Sequence, residues 1–375
     1  MMGRRGNGEG TMARRKDGRW MGRYTVYTAK GPRQRAVYGK TRQEAAEKLT
    51  RAIADRDGGL TFDAGTLTVT EYLDRWLTDA VQDTVRQRTY ERYEQIARVH
   101  IKPALGRLKL KSLTTTHVRG LYREKLDAGL APRTVQYIHT TLHKALKDAV
   151  ADGLIPRNVA KGIKAPRPRK QEINPLSADQ AHGFLSAARG DRFEALYVVA
   201  LHCGLREGEL LGLRWEDVDL AAGTLSVRRT LSQARIGHMF EAPKNGHGRN
   251  VRLTSGAVEA LKRHRAAQNG ERIRLRYLWQ DHGLVFPSQR GTTMSASNLT
   301  ARSFKSLLRR AGLPDIRLHD LRHTCATLLL SEGVHPKFVQ ELLGHANIGI
   351  TLDTYSHVLP SMGDQTDTAM ERVLP

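Results

Sequence analysis

Four short segments in the second half of the chain bring together arginine, lysine and histidine, and a tyrosine follows the last of them. Each segment has an ordinary structural explanation when it is taken alone: an arginine beside a glutamate forms an ion pair, a lysine in a turn faces solvent, and a tyrosine near a chain end packs against a core. The segments are GLREGEL at 204–210, PKNG at 243–246, HDLRHT at 319–324 and LLGHAN at 342–347, and the tyrosine is Tyr355.

Taken together, these residue types suit the cleavage of a DNA phosphodiester without a metal ion. Arginine side chains bind the non-bridging oxygens, where negative charge builds in the transition state, through forked donors that lysine lacks. A proton donor must reach the leaving 5′-oxygen, and histidines suit assisting roles near neutral pH. A tyrosine hydroxyl can attack phosphorus and hold the strand as an ester. The pattern therefore indicates nucleophilic catalysis on DNA.

In these motifs and in their order, residues 172–360 resemble the catalytic domain of the tyrosine recombinases, the integrase family of bacteriophages and integrative elements. The resemblance implies that Arg206 and Arg322 bind the scissile phosphate and that Lys244 is the general acid for the leaving 5′-oxygen. It also implies that two histidines assist and that the tyrosine attacks phosphorus to form a 3′-phosphotyrosyl intermediate. The implied catalytic set is Arg206, Lys244, His319, Arg322, His345 and the nucleophile Tyr355.

Two further residues in these motifs have supporting roles by the same resemblance. Glu209 stands at an acidic position common in the family and is expected to orient the site, and His323 is expected to be structural. His319 and His323 also have the i, i+4 spacing of metal ligands, but no HExxH glutamate and no third ligand accompany them, so we expect a capping or surface pair rather than a zinc site. The resemblance implies neither a metal ion nor ATP nor another cofactor, because the phosphotyrosyl ester conserves the bond energy.

The composition points to a polyanionic partner. The chain has 375 residues and a formal net charge of +23, and residues 1–170, with 36 Lys and Arg against 17 Asp and Glu, carry +19 of it. So large an excess of cations favours nucleic acid. A mean hydropathy of −0.49 and the lack of a long apolar run exclude a membrane protein, and no secretory signal is expected. Cys203 and Cys325 are too few for a disulfide framework, which favours a reducing cytoplasm.

The elements that must position the motif residues fall into three parts. Two β-rich stretches and the capping-box pair Thr41 and Glu44 predict a small sheet followed by a helix. A second capping box at 68–71 opens a helical segment, in which Pro103 is expected to mark a connection between helices. The last part mixes helices with strand-like stretches, one of them at 224–231. The predicted fold class is therefore mainly α with small β-sheets (α+β).

The resemblance extends toward the N-terminus and defines the expected domains. Residues 12–60 resemble the small arm-binding domain of phage-type integrases, and residues 66–155 resemble the four-helix core-binding domain that closes over DNA opposite the catalytic domain. The predicted domains are an arm-type DNA-binding domain at 1–60 (a three-stranded sheet plus a helix), a helical core-binding, SAM-like domain at 61–160, a basic linker at 161–171 and the tyrosine recombinase catalytic domain at 172–375.

The function implied by these resemblances is site-specific recombination, which integrates a phage or mobile element and, with accessory factors, excises it. Alternatives with the same chemistry are a conjugative-transposon integrase, a chromosome or plasmid resolvase and a topoisomerase, although the basic N-terminal domain argues against a minimal resolvase. A non-catalytic DNA-binding protein on a decayed recombinase scaffold is a further alternative, against which the six filled catalytic positions argue.

The same resemblance implies the partners and the location of the protein. The expected partners are double-stranded DNA with core-type and arm-type attachment sites, three further copies of the chain in a homotetramer on DNA, a DNA-bending host factor and a recombination directionality factor. We expect the protein to act in the bacterial cytoplasm, at the nucleoid.

Overall fold

The structure is a computed structural model, and it describes residues 10–28, 31–57, 66–168, 173–235, 237–243, 246, 248–355 and 370–374. The chain divides into two compact units, residues 1–170 and 171–375. The predicted boundary between the two DNA-binding domains, at residue 60, lies outside the described residues and stays a prediction. No helix in the described ranges is long and apolar enough to cross a membrane.

The first unit begins with a three-stranded antiparallel sheet and one helix. Their bounds are β1 Thr11–Arg14, β2 Trp20–Thr28, β3 Gly31–Gly39 and α1 Arg42–Asp57. Strand β2 lies between β1 and β3, and its Tyr24 and Val26 form a small apolar core with Leu49 of α1. The hydroxyl of Thr41 accepts a hydrogen bond of 3.1 Å from the backbone N–H of Glu44, so α1 begins where the sequence predicts.

A helical segment with its own apolar core makes up the rest of the first unit. Its elements are α2 Val69–Arg75, extended by a π turn at Trp76–Val81; α3 Gln87–Ile96, extended by a π turn at Ala97–Ile101; α4 Lys102–Leu105; α5 Thr115–Asp127; and α6 Pro132–Ala151. The predicted capping box is present: Thr68 Oγ1 accepts from the N–H of Glu71 at 3.2 Å, and the Glu71 carboxylate accepts from the N–H of Thr68 at 2.8 Å. The buried side chains of Tyr72 and Trp76 then enter the core.

The prediction that Pro103 marks a connection between helices is wrong. The chain stays helical from α3 through the π turn and into α4, which contains the proline. In this turn the N–H of Lys102 bonds to the carbonyl of Ala97, five residues earlier. A proline in an α-helix lacks a donor and clashes with the carbonyl four residues before it, and the wider π turn accommodates the ring by changing that spacing.

The second unit is organised around a helix that is buried on almost every side. The helices are α7 Ala178–Ala187, α8 Glu194–Cys203, α9 Glu207–Leu211, α10 Ser255–Leu275, α11 Ala296–Leu299, α12 Lys305–Arg310, α13 Asp320–Ser331, α14 Pro336–Leu343 and α15 Ile348–Tyr355. Helix α8 is buried from Ala195 through Leu201 and again at Cys203. Its Tyr197 packs edge-on against Phe184, and Phe304 completes an aromatic cluster. This core fixes the end of α8, from which the site is built.

Small antiparallel strands complete the second unit. They are β4 Val218–Asp219, β5 Thr224–Val227, β6 Thr230–Ala234, β7 Gly237–Glu241 and β8 Arg249–Arg252. The prediction of one strand at 224–231 is wrong, because β5 pairs with β4 and β8 whereas β6 pairs with β7 in another sheet. Between β5 and β6, Arg229 Nη1 donates to the buried carboxylate of Asp217 at 2.7 Å, so an ion-paired residue lies where the chain passes from one sheet to the other. The predicted fold class, mainly α with small β-sheets, is confirmed.

The capping box of α2 gives a test of how this helix is stabilised. Replacing Thr68 by alanine removes the side-chain acceptor for the N–H of Glu71, and we expect the free energy of unfolding of the helical segment to fall by about 1 kcal/mol. Thr68→Ser keeps the hydroxyl and is the matched control. Urea titrations followed by circular dichroism measure both, and an alanine variant as stable as the serine variant would contradict the role given to the cap.

Candidate active site

A glycine turn between α8 and α9 brings the first candidate arginine into the site. Gly204 has φ +58°, a left-handed conformation that L side chains rarely adopt, and a Cβ at this position would lie 2.5 Å from Leu343 Cδ2. The turn therefore needs glycine for both its backbone angle and its close contact. Arg206 follows at the N-cap of α9, so the motif GLREGEL places a guanidinium beside the end of the buried helix.

The carboxylate of Glu209 is the centre of the site. It accepts hydrogen bonds from Arg206 Nη1 at 2.8 Å and from the backbone N–H of Arg206 at 3.0 Å. It also accepts a forked pair from Arg249, with Nη2 at 2.8 Å and Nη1 at 3.1 Å. Glu209 is 2% exposed. Burial alone would raise the pKa of its carboxyl, but the hydrogen bonds and charge of Arg249, with those of Arg206, lower it to about 2.

The same two arginines bind the backbone at the end of α14. Arg249 Nε donates to the carbonyl of Leu342 at 2.8 Å, and Arg206 Nη2 donates to the carbonyl of Gly344 at 3.0 Å. Gly344 has φ +64°, and a Cβ there would lie 3.1 Å from the Arg249 side chain. The motif LLGHAN is thus anchored to Glu209 through both guanidiniums, and this anchoring positions His345.

Arg322, the second predicted phosphate ligand, lies on α13 and is 3% exposed. Its Nη1 donates to the carbonyl of Gly204 at 2.6 Å, which ties α13 to the turn before Arg206. Its Nη2 is buried and has no hydrogen-bond partner among the described residues. Burial and the nearby charge of Arg206 lower the pKa of Arg322 to about 9, so the guanidinium stays charged at neutral pH.

Tyr355 ends α15 and is 1% exposed. Its hydroxyl lies 2.7 Å from Nδ1 of His323. Burial raises the pKa of Tyr355 to about 12 although the charge of Arg322 opposes the shift. The phenol is therefore protonated at neutral pH and needs an acceptor for its proton before or during attack on phosphorus.

Of the two predicted assisting histidines, His345 is half-buried, and His319 is more exposed to solvent. His345 Nδ1 lies 2.8 Å from Thr351 Oγ1, and the ring of His319 meets the ring of His323 edge to face, with 5.1 Å between centroids. Loss of solvation, reinforced by neighbouring histidine and arginine side chains, lowers the pKa of both His319 and His345 to about 4. Both imidazoles are consequently neutral near pH 7.

The structure brings most of the predicted site residues to one place and adds another. Arg206 bonds to Glu209, and Arg322 bonds to the Gly204 carbonyl in the turn just before Arg206. The hydrogen bond between His323 and Tyr355 connects α15 to α13. Lys244 lies outside the described residues. The added residue is Arg249, which belongs to none of the four sequence motifs and was not predicted as a site residue. In the described ranges, no group of three or more His, Cys, Asp or Glu side chains is placed to hold a metal ion.

The charges of the site favour an anion. Three guanidiniums, those of Arg206, Arg249 and Arg322, interact with a single carboxylate. Two of the positive charges therefore lack a counter-charge within this group. Since water is largely excluded around Arg322, an anionic group entering the site would gain strong electrostatic stabilisation.

Comparison with known proteins places this site in a family. Residues 174–362 match the phage integrase family, and residues 68–126 match the phage integrase N-terminal SAM-like domain. A tyrosine recombinase XerC-like protein of Caldanaerobacter subterraneus subsp. tengcongensis is 32% identical over 347 residues, which cover 87% of this chain and 88% of that protein. An integrase of Streptomyces ambofaciens is 31% identical over 334 residues, with 84% and 83% covered.

Solved structures share the fold. The Tn1549 transposon integrase in complex with a circular intermediate DNA superposes with a TM-score of 0.68 at 24% identity, covering 82% of this chain and 99% of that one. A lambda integrase tetramer bound to a Holliday junction superposes with a TM-score of 0.58 at 21% identity, covering 90% and 95%.

The chain belongs to the phage integrase family of tyrosine recombinases. It is accordingly a tyrosine-type site-specific recombinase, which acts in the recombination of DNA.

The Glu209 ion pairs predict a pH dependence of stability. The pKa of Glu209 is lower in the folded chain, at about 2, than its ordinary value of 4.5. Its carboxylate therefore contributes stability above about pH 5 that is lost as the pH falls toward about 2, and the shift corresponds to about 3 kcal/mol. Glu209→Gln lacks this contribution and leaves two guanidiniums without their carboxylate.

Urea unfolding at several pH values checks this expectation. The gap in unfolding free energy between the wild type and Glu209→Gln should be largest near neutral pH and should narrow below about pH 5. Glu332→Gln, at an exposed glutamate, is the control and should show little change. A gap that stays constant down to the lowest measurable pH would contradict the assigned ion pairs.

Proposed function

We propose that this recombinase integrates a phage or other mobile element, and with accessory factors excises it, through a 3′-phosphotyrosyl intermediate on Tyr355. One observation carries the proposal: the buried Arg322 has an unpartnered Nη2 and interacts with both Arg206 and Tyr355. A buried donor without a partner is costly unless a ligand meets it. A scissile phosphate would supply the acceptor and the negative charge beside the nucleophile.

Each catalytic group then has a defined task. Arg206 and Arg322 hold the non-bridging oxygens and stabilise the charge that grows on them in the transition state. The Tyr355 oxygen attacks phosphorus, and Lys244 donates a proton to the leaving 5′-oxygen. Glu209 orients Arg206 through two hydrogen bonds. The released 5′-hydroxyl of one duplex later attacks the phosphotyrosine of the other, so the ester conserves the bond energy and the cycle needs neither ATP nor a metal ion.

The histidines act as neutral hydrogen-bonding groups in this proposal. Because the pKa values of His319 and His345 are both about 4, their imidazoles do not add positive charge near neutral pH. His345 is oriented by its bond to Thr351, which leaves its other nitrogen for the phosphate. Their contribution is therefore to position and to hydrogen-bond the transferring phosphoryl group rather than to neutralise it.

The parts of the chain before the catalytic domain bind DNA in this proposal. The predicted arm-type domain at 1–60 and core-binding domain at 61–160 lie within the segment that carries +19 of the net charge of +23. Such a segment neutralises phosphates and makes binding strongly salt-dependent. We propose core-type and arm-type sites as its targets, four protomers on the DNA, a DNA-bending host factor, a directionality factor and a place at the nucleoid of a bacterial host.

A conjugative or integrative element is a second candidate for the carrier of this enzyme. The chain is 26% identical to the ICEBs1 integrase of Bacillus subtilis over 285 residues, and it shares its fold with the Tn1549 transposon integrase. The chemistry is the same for both carriers. The sequence flanking the gene, where phage genes or conjugation genes stand, distinguishes them.

Loss of the tyrosine hydroxyl should abolish covalent trapping. DNA from the junction of the element, nicked beside the scissile phosphate so that the short product diffuses away, traps the phosphotyrosyl complex on denaturing gels. We expect the wild type and Tyr277→Phe, at a tyrosine that is 90% exposed, to form the complex and Tyr355→Phe to form none. Complex formation by Tyr355→Phe at the wild-type level would contradict the assigned nucleophile.

Removal of the N-terminal domain should separate DNA capture from chemistry. A chain without residues 1–60 keeps every proposed catalytic residue, so we expect it to cleave isolated core sites at a rate close to that of the wild type. Integration that depends on arm-type sites should be lost in a plasmid assay. Integration at the wild-type level by the shortened chain would contradict the arm-binding role of this domain.

A further inference from the structure

The hydroxyl of the proposed nucleophile is already hydrogen-bonded in this structure. His323 Nδ1 lies 2.7 Å from Tyr355 Oη, a normal distance for an oxygen donor. Among the described residues, no other side chain hydrogen-bonds to this hydroxyl. His323 is not one of the six residues to which the proposed function gives a catalytic task, so its contact with the reacting oxygen needs its own explanation.

The surroundings of the pair exclude the usual alternative acceptors. Tyr355 is 1% exposed, so bulk water does not serve its hydroxyl. His345 Nδ1 is occupied by Thr351 Oγ1 at 2.8 Å. His319 meets the ring of His323 edge to face and makes no hydrogen bond to the tyrosine. His323 is therefore the group placed to receive the phenol proton.

The attack of Tyr355 on phosphorus requires a proton acceptor. A phenol whose pKa is raised to about 12 by burial is a weak nucleophile near neutral pH, and its proton must leave as the bond to phosphorus forms. The imidazole must be neutral to accept it. Burial lowers the pKa of His323, Asp320 opposes that shift, and Arg317 and Arg322 add to it, so the neutral form prevails and Nδ1 is available when the other nitrogen carries the ring proton.

We propose that His323 is the proton acceptor of the nucleophile Tyr355, an inference that rests on the proposed function. In cleavage the Oη–P bond forms and the P–O5′ bond breaks, while the Oη proton passes to His323 Nδ1 and the 5′-oxygen takes a proton from Lys244. In rejoining, the 5′-oxygen attacks phosphorus and returns its proton to Lys244. The Oη–P bond then breaks, and His323 gives its proton back to Tyr355.

Two substitutions separate proton transfer from positioning. In His323→Asn the amide oxygen lies close to the place of Nδ1 and still accepts the phenol hydrogen bond, but it cannot take up the proton. His323→Ala loses both abilities. His182→Ala, at an exposed histidine on α7, is the matched control. Thermal melting and binding of uncleaved DNA show whether each variant is folded.

Two forms of the nicked substrate show whether a substitution impairs removal of the Tyr355 proton or protonation of the leaving 5′-oxygen. One carries the normal phosphate, and the other has sulfur in place of the leaving 5′-oxygen, a leaving group that needs no proton. We expect both His323 variants to form the covalent complex about 100-fold or more slowly than the wild type on both substrates. Lys244→Ala should be slow on the normal phosphate only, because a sulfur leaving group does not need the proton that Lys244 donates.

Different results would overturn the role of His323 and the proposed function of the whole enzyme. If His323→Asn cleaves within about threefold of the wild type, or if the sulfur substrate restores a His323 variant, His323 is not the acceptor. Should the alanine variant fail to melt cooperatively, the asparagine variant decides, since it keeps the hydrogen bond. A wild type that forms no covalent complex at all would instead overturn the proposed function.

Discussion

The buried carboxylate of Glu209 is the constraint on which the site depends. Arg206 and Arg249 both donate to it, and both also donate to backbone carbonyls at the end of α14. Desolvation of so many charges is expensive, and the short forked hydrogen bonds offset it. One carboxylate interacts with three guanidiniums. The network therefore holds the arginines in place and leaves two of their positive charges without a counter-charge. That residual positive charge is what the proposed phosphodiester ligand requires, and it is present in the protein without DNA.

The backbone of the site depends on the same network. The carbonyl of Gly204 accepts a hydrogen bond from Arg322, and the carbonyl of Gly344 accepts one from Arg206. Each of these two glycine turns is therefore fixed by an arginine that is more than 100 residues away in the sequence. Tyr355 is positioned by a different contact, the bond to His323 on α13. The proposed nucleophile is thus tied to the helix that carries Arg322, which keeps its oxygen close to the proposed phosphate-binding group.

The sequence predicts the parts of this arrangement that are local. Capping boxes locate the starts of α1 and α2 because the cap lies within four residues, and motif order identifies Arg206, Arg322 and Tyr355 as the proposed catalytic residues. Arg249 could not be identified in this way, since its partner Glu209 lies 40 residues away and a strand pattern says nothing about a buried ion pair. The contact between His323 and Tyr355 likewise depends on packing between helices. Pro103 misled because a π turn, which has no sequence signature, removes the clash.

In the proposed function, these guanidiniums act on the negative charge of the scissile phosphate. Replacing one non-bridging oxygen of that phosphate by a methyl group removes the charge while keeping the leaving 5′-oxygen. On the normal substrate we expect Arg322→Ala to form the covalent complex about 100- to 1,000-fold more slowly than the wild type. On the neutral methyl-substituted linkage the two proteins should react at similar rates, because the charge that Arg322 stabilises is no longer present. An equal loss of rate on both substrates would contradict this role of Arg322.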